Sequence, residues 1–142
     1  IVLNCMNKPF AGYALDSDTM AKWDKLIALR SDVNGVLETA RAGKRIGKPL
    51  EAAGTLKAQS PEAKELINAV SDMDLSELFI VSECLISDED VPDAVVGAGS
   101  ISGLTVSVKE ASGVKCPRCW MHSVKADPET GLCPRCAEVV GK

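Results

Sequence analysis

Apolar and polar positions change period several times along this chain, and each change marks an element. Trp23, Leu26, Ile27, Arg30, Val33, Leu37 and Ala40 recur at steps of three and four, which predicts an amphipathic helix over residues 19–43. Asp18 stands where a cap is needed, and Gly43, Gly47 and Pro49 supply the stop. So long an apolar stripe has to be covered, so the helix is not free-standing. Residues 1–18 read as irregular, with a short apolar start broken by Pro9 and Gly12.

Alternation replaces the helical period over residues 50–57, predicting a strand with Leu50, Ala52 and Leu56 on one face. Ser60-Pro61-Glu62 opens a short helix: a hydroxyl cap, proline at the first position and an acid in the first turn. Leu66, Ile67 and Val70 form its apolar face. Residues 78–86 are dense in strand formers and read as a mostly buried strand. An acidic loop over 87–93 leads to Val95 and Val96, and a turn at Gly97–Gly99 follows. Leu104, Val106 and Val108 alternate with polar residues in a half-exposed strand. The chain carries no internal repeat. The expected class is α+β: a long N-terminal amphipathic helix, a small mixed sheet with one packed helix (β–α–β–β), and a C-terminal cysteine segment. The expected units are 1–48 (lead-in and helix), 49–112 (small α/β unit) and 113–142 (knuckle).

Composition narrows the class without changing it. The chain has 142 residues, 46% hydrophobic and 25% charged, which argues against global disorder. No apolar run is long enough to span a bilayer, and the first ten residues lack a basic leader, so a cytoplasmic location without membrane contact is expected. The absence of an initiator Met leads one to expect a piece cut from something longer. The net charge of −4 is unevenly spread. Residues 61–93 carry ten acids against Lys64 alone, whereas residues 19–48 carry seven cations against three acids, and residues 115–142 five against three. A polyanion would be repelled by the middle and tolerated at the two basic stretches, although solvated faces also account for them.

The chemistry lies in the last thirty residues. Cys116-Pro117-Arg118-Cys119-Trp120 is followed by Cys133-Pro134-Arg135-Cys136. Each Cys-x-x-Cys folds into a tight turn that aims two sulfurs at one point, and two such turns complete the tetrahedron that zinc prefers. Pro117 and Pro134 preset the turns, while Asp127-Pro128 and Gly131 make the intervening segment a turn or hairpin rather than a helix. With few large apolar residues, the segment needs metal affinity to fold. A redox pair would want a surrounding βαβ unit, disulfides would want export, and an iron–sulfur cluster fits the paired spacing less well. Four thiolates leave no open position for water, so the expected ion is one structural Zn2+. His122 then stands by.

His122 is the chain's single histidine, and the glycines form no phosphate-binding loop, so no catalytic residue is assigned. Cys84 reads as a small buried hydrophobe; Cys5, like Cys84, lacks a partner base. Trp120 has Lys115, Arg118, Lys125 and Arg135 as basic neighbours in sequence. An aromatic face framed by cations stacks on unpaired bases while the cations meet phosphates. The alternative is that Trp120 covers the metal site as a miniature core, and residue chemistry leaves both open.

The run Trp23-Asp24-Lys25-Leu26, Arg30, Val33, Leu37-Glu38, Ala40-Arg41, Ile46-Gly47 and Leu50-Glu51-Ala52, with the cysteine ending, resembles the C-terminal region of bacterial isoleucyl-tRNA synthetases. Val2-Leu3, Met6 and Pro9 resemble the extended piece that precedes the long helix there. The resemblance implies a tRNA-binding appendage of a class I synthetase that joins isoleucine to tRNA(Ile) with ATP. It implies a monomer whose catalytic and helical domains lie upstream, and a long helix whose stripe faces partner helices missing here. The four cysteines become zinc ligands, and Trp120 and Arg118 fall where the tail approaches the anticodon region. The rivals are the zinc-bearing tail of a DNA-repair glycosylase, which ends in a related knuckle, and a zinc-stabilised protein-interaction module.

Overall fold

The structure is a computed structural model that describes residues 10–141. Residues 10–16 are irregular apart from one 3-10 turn at Ala11–Tyr13; the expectations on Val2, Leu3, Cys5, Met6 and Pro9 lie outside the described residues. Helix α1 (Ser17–Ala42) starts two residues earlier than its pattern suggests. The cap is Asp16 rather than Asp18, because Asp16 satisfies Thr19 twice, accepting its N–H and its hydroxyl, each at 2.8 Å. At the other end the Gly43 N–H closes on Thr39 O at 3.0 Å.

Four strands form one mixed sheet: β1 (Ala52–Ala58), β2 (Glu83–Ile86), β3 (Val95–Ala98) and β4 (Leu104–Glu110), in the spatial order β2-β1-β4-β3. β1 pairs parallel with β2 and antiparallel with β4, while β3 pairs antiparallel with β4. A parallel pair needs a crossover connection. Helices α2 (Pro61–Val70) and α3 (Leu75–Phe79) provide it. α2 begins as its sequence predicts: the Ala63 N–H donates to Ser60 Oγ and Pro61 holds the first position.

The α+β class stands, but three local readings change. Residues 78–86 are not one buried strand. Asp74 accepts the N–H groups of Ser76 and Glu77, which commits Leu75–Phe79 to a helical turn. Only Glu83–Ile86 remains strand, and as the sheet edge it leaves Leu85 and Ile86 exposed. Val95 and Val96 belong to a fourth strand, β3, which makes β4 an inner strand.

The third change concerns α1. Its buried face is Leu26, Leu29, Val33, Val36, Leu37 and Ala40, while Trp23 and Ile27 are exposed. Apolar residues occupy two adjoining faces of this helix, and periodicity alone does not choose between them. The sheet chooses. Val36 lies against Gly97, where an added Cβ would approach Val36 Cγ2 to 2.5 Å, so a strand bearing a side chain there would push the helix off. Asp32 adds a polar tether, accepting the Ser100 N–H at 2.9 Å. The buried face is thus covered by the chain's own sheet, while Trp23 and Ile27 stay exposed on the adjoining face. Leu29, Leu56, Val70, Phe79 and Val106 meet in one core between the helices and one face of the sheet.

Candidate metal centre

A small hairpin presents the first knuckle. Strands β5 (Val114–Lys115) and β6 (His122–Ser123) pair antiparallel, and between them Cys116 O accepts the Trp120 N–H while the Cys116 N–H donates to Met121 O, both at 2.9 Å. Gly113 permits the entry into β5: its φ is +94°, and a Cβ there would stand 2.3 Å from the Ser123 carbonyl carbon. The second knuckle opens a helix instead of closing as a free turn. Cys133 is the cap and Pro134 the first residue of α4 (Pro134–Val140). Proline is preorganised for that position and has no N–H to leave unpaired.

The segment between the knuckles is a turn, as its residues predict. Asp127 Oδ1 accepts the N–H groups of Glu129 and Thr130 and the Thr130 hydroxyl, at 3.1, 2.7 and 2.7 Å. The Thr130 bonds hold its carboxyl below the usual range. Asp127 N–H then returns to Leu132 O at 2.9 Å, which delivers the chain to Cys133.

The sulfurs of Cys116, Cys119, Cys133 and Cys136 all lie within 4.8 Å of one another. Cys119 Sγ and Cys133 Sγ are 3.7 Å apart. A tetrahedron with metal–sulfur bonds near 2.3 Å sets its sulfurs about 3.8 Å apart, so the cluster is the right size for one zinc ion. Thiolate chemistry fits as well. Burial alone would raise Cys116, but backbone N–H groups of Cys119, Cys133 and Arg118 outweigh it and bring its pKa down to about 6. The Arg118 guanidinium donates to Cys136 Sγ at 3.5 Å and lowers that thiol too. Burial pushes Cys133 up to about 11, and a bound cation would favour its thiolate. His122 stands outside the sulfur cluster.

The half-buried apolar side chain packed on the sulfur cluster is Leu132, and Trp120 is 58% exposed. Its φ is +68°, a left-handed conformation uncommon for a bulky residue. Of the four cations grouped with it, Arg118 faces Cys136, and Arg135 reaches Glu77 Oε1 at 3.5 Å and Met121 Sδ at 3.9 Å. Lys115 and Lys125 are exposed. Sequence reasoning missed Lys48, whose Nζ is 5.9 Å from the Trp120 ring centroid, a long-range approach that no local pattern signals. Cys84 is half-buried against the core, and burial pushes its thiol up to about 12, which agrees with a packing role.

The knuckle is joined to the sheet through Ser82. Its Oγ accepts the His122 N–H at 2.6 Å and donates to Leu50 O at 2.5 Å. No described helix is long and apolar enough to cross a membrane.

Residues 113–139 match the pattern of a family described as a zinc finger found in FPG and IleRS. The chain is 40% identical over 131 residues to an isoleucine–tRNA ligase of Kosmotoga olearia, covering 90% of the chain and 14% of that protein. It is 41% identical over 131 residues to the ligase of Lactobacillus helveticus and 41% over 135 residues to that of Latilactobacillus sakei, again over 14% of each. The chain therefore spans about one seventh of the length of the curated relatives it matches. It resembles the zinc-knuckle region of isoleucine–tRNA ligases, in agreement with the helix-to-sheet junction and the paired knuckles.

Proposed function

We propose, from this kinship with isoleucine–tRNA ligases, that the chain is the end of such a ligase that grips the anticodon region of tRNA(Ile), in the cytoplasm and in a monomeric parent. Zinc, bound by Cys116, Cys119, Cys133 and Cys136, would contribute folding free energy and no reaction step. Activation of isoleucine with ATP would belong to the upstream catalytic domain, and residues 1–48, 49–112 and 113–142 would serve as lead-in helix, junction and knuckle. The glycosylase reading draws only on the finger at 113–139, whereas the ligase relatives align over 131 residues.

One observation carries the RNA reading. Trp120 is mostly exposed, lies outside the buried sulfur cluster, and holds a backbone conformation that glycine would adopt without strain. Neither burial nor backbone preference accounts for tryptophan at this position, which favours a ring kept for an external partner. Stacking on an unpaired base contributes about 1–3 kcal/mol. The rigid knuckle lowers the ordering cost of binding, and Lys115 and Lys125 would meet phosphates.

Trp120→Ala in the complete ligase should weaken tRNA charging by about 1–3 kcal/mol in kcat/KM, with isoleucine-dependent pyrophosphate exchange retained. Trp120→Gly should lose charging equally while being more stable than Trp120→Ala by about 1 kcal/mol, because glycine relieves the left-handed strain. Equal loss of exchange and charging would remove the RNA-contact role.

A further inference from the structure

The two basic stretches of the sequence meet in space at one ring. Lys48, at the exit from α1, stands over Trp120 with its ammonium 5.9 Å from the ring centroid. The loop that carries Lys48 is held on purpose-built contacts. The N–H groups of Gly47 and Lys48 both donate to Glu51 Oε2, at 2.8 and 3.2 Å, and these bonds hold the Glu51 carboxyl below its usual range. Gly47 lets the carboxylate sit close to the backbone, since a Cβ there would meet Glu51 Oε2 at 2.9 Å. Pro49 follows and restricts Lys48 to extended backbone, observed at φ −132°, ψ 153°.

We infer that Lys48 is a further contact residue for single-stranded RNA and that Glu51 is its positioning residue; the inference rests on the Trp120 reading. With a cation over one face of the indole, an unpaired base stacks on the other face. The ring is then sandwiched between cation and base, and the water it loses on the base side lowers the local dielectric, which strengthens the cation–π attraction. The ammonium would also meet a phosphate flanking a base so stacked. Two neighbouring groups alter the local field. Lys115 adds positive charge, and it lowers the Glu51 carboxyl alongside the two N–H groups. The Glu51 charge, which would repel RNA, is directed at backbone donors.

The test uses the complete zinc-loaded ligase and an unmodified tRNA(Ile) transcript, with Kd measured over a salt series. Lys48→Ala should weaken binding about fivefold and reduce the slope of log Kd against log salt by about one contact. Lys48→Arg should restore both, because a guanidinium stacks on an aromatic face and keeps the charge. Glu51→Ala should weaken binding and Glu51→Gln much less, since the amide oxygen still accepts both N–H groups. Combined with Trp120→Ala, Lys48→Ala should lose less than the sum of the two single losses. If Trp120→Ala weakens binding and Lys48→Ala does not, the inference fails and the Trp120 reading survives. Binding unchanged in both variants overturns the two together, and additive losses in the double variant overturn the shared-ring geometry.

Discussion

The two halves of this molecule are held together by different physics. Residues 17–110 close around an apolar core in which Leu29, Leu56, Val70, Phe79 and Val106 are almost wholly buried. Beyond it, the buried cluster consists of Cys116, Cys133 and Cys136, with Cys119 and Leu132 packed against them. An apolar core tolerates the loss of one contact by yielding part of a distributed free energy. A four-ligand centre has no such reserve, because each sulfur is a quarter of the interaction that folds the segment. We expect the sheet half to stand as a scaffold in its own right and the knuckle to depend on its ion.

Removing the metal tests this contrast most severely. Chelation, or Cys136→Ser, should abolish hydrogen-exchange protection across residues 113–141 while leaving amides of β1 and β4 protected. Zinc-finger segments owe about 10–16 kcal/mol of apparent binding free energy to the ion. Loss of protection in both halves together would mean that the sheet depends on the knuckle.

Leu29→Ala tests the contrast from the other side. Leu29 is fully buried on α1. Its truncation should cost about 2–5 kcal/mol of sheet stability in denaturant titration. Zinc content should stay at one per chain. A loss of zinc in step with the loss of stability would erase the distinction between the halves.

The same contrast explains what the sequence revealed in advance. The convergence of the four sulfurs was legible, because ligand identity and spacing are local properties that burial cannot override, whereas the helix that the second knuckle opens was not. The helix over Pro61–Val70 was legible for the same reason: Ser60, Pro61 and Glu62 act within one turn. Leu78 and Phe79 were misread as strand because the strand formers of 78–86 outweighed a single cap residue, Asp74, which accepts two N–H groups. On α1 the stripe was recognised but rotated, since Trp23 and Ile27 compete with Leu29 and Val36 and only the bare Gly97 backbone settles the matter. The approach of Lys48 to Trp120 was beyond reach, as it joins residues far apart in sequence through a fold that no local pattern encodes.

The smallest effect should arise at the seam between the halves. Ser82 Oγ serves both sides, accepting the His122 N–H from the knuckle and donating to Leu50 O ahead of β1. Ser82→Ala removes both bonds and leaves a part-buried donor and acceptor unpaired, which costs about 1–2 kcal/mol. That cost falls on docking rather than on either half. Exchange at the His122 amide should quicken, while zinc affinity and the protection of β4 stay as they were, because the sulfurs and the core are untouched. Ser82→Thr should retain the slow exchange, since its hydroxyl can take both roles. Glu77 and Arg135 bridge the same seam at 3.5 Å, but that pair is exposed and contributes little. Unchanged exchange in Ser82→Ala would therefore move the attachment to Lys48 and Trp120, whereas a fall in zinc affinity would show that the knuckle leans on the sheet for its shape.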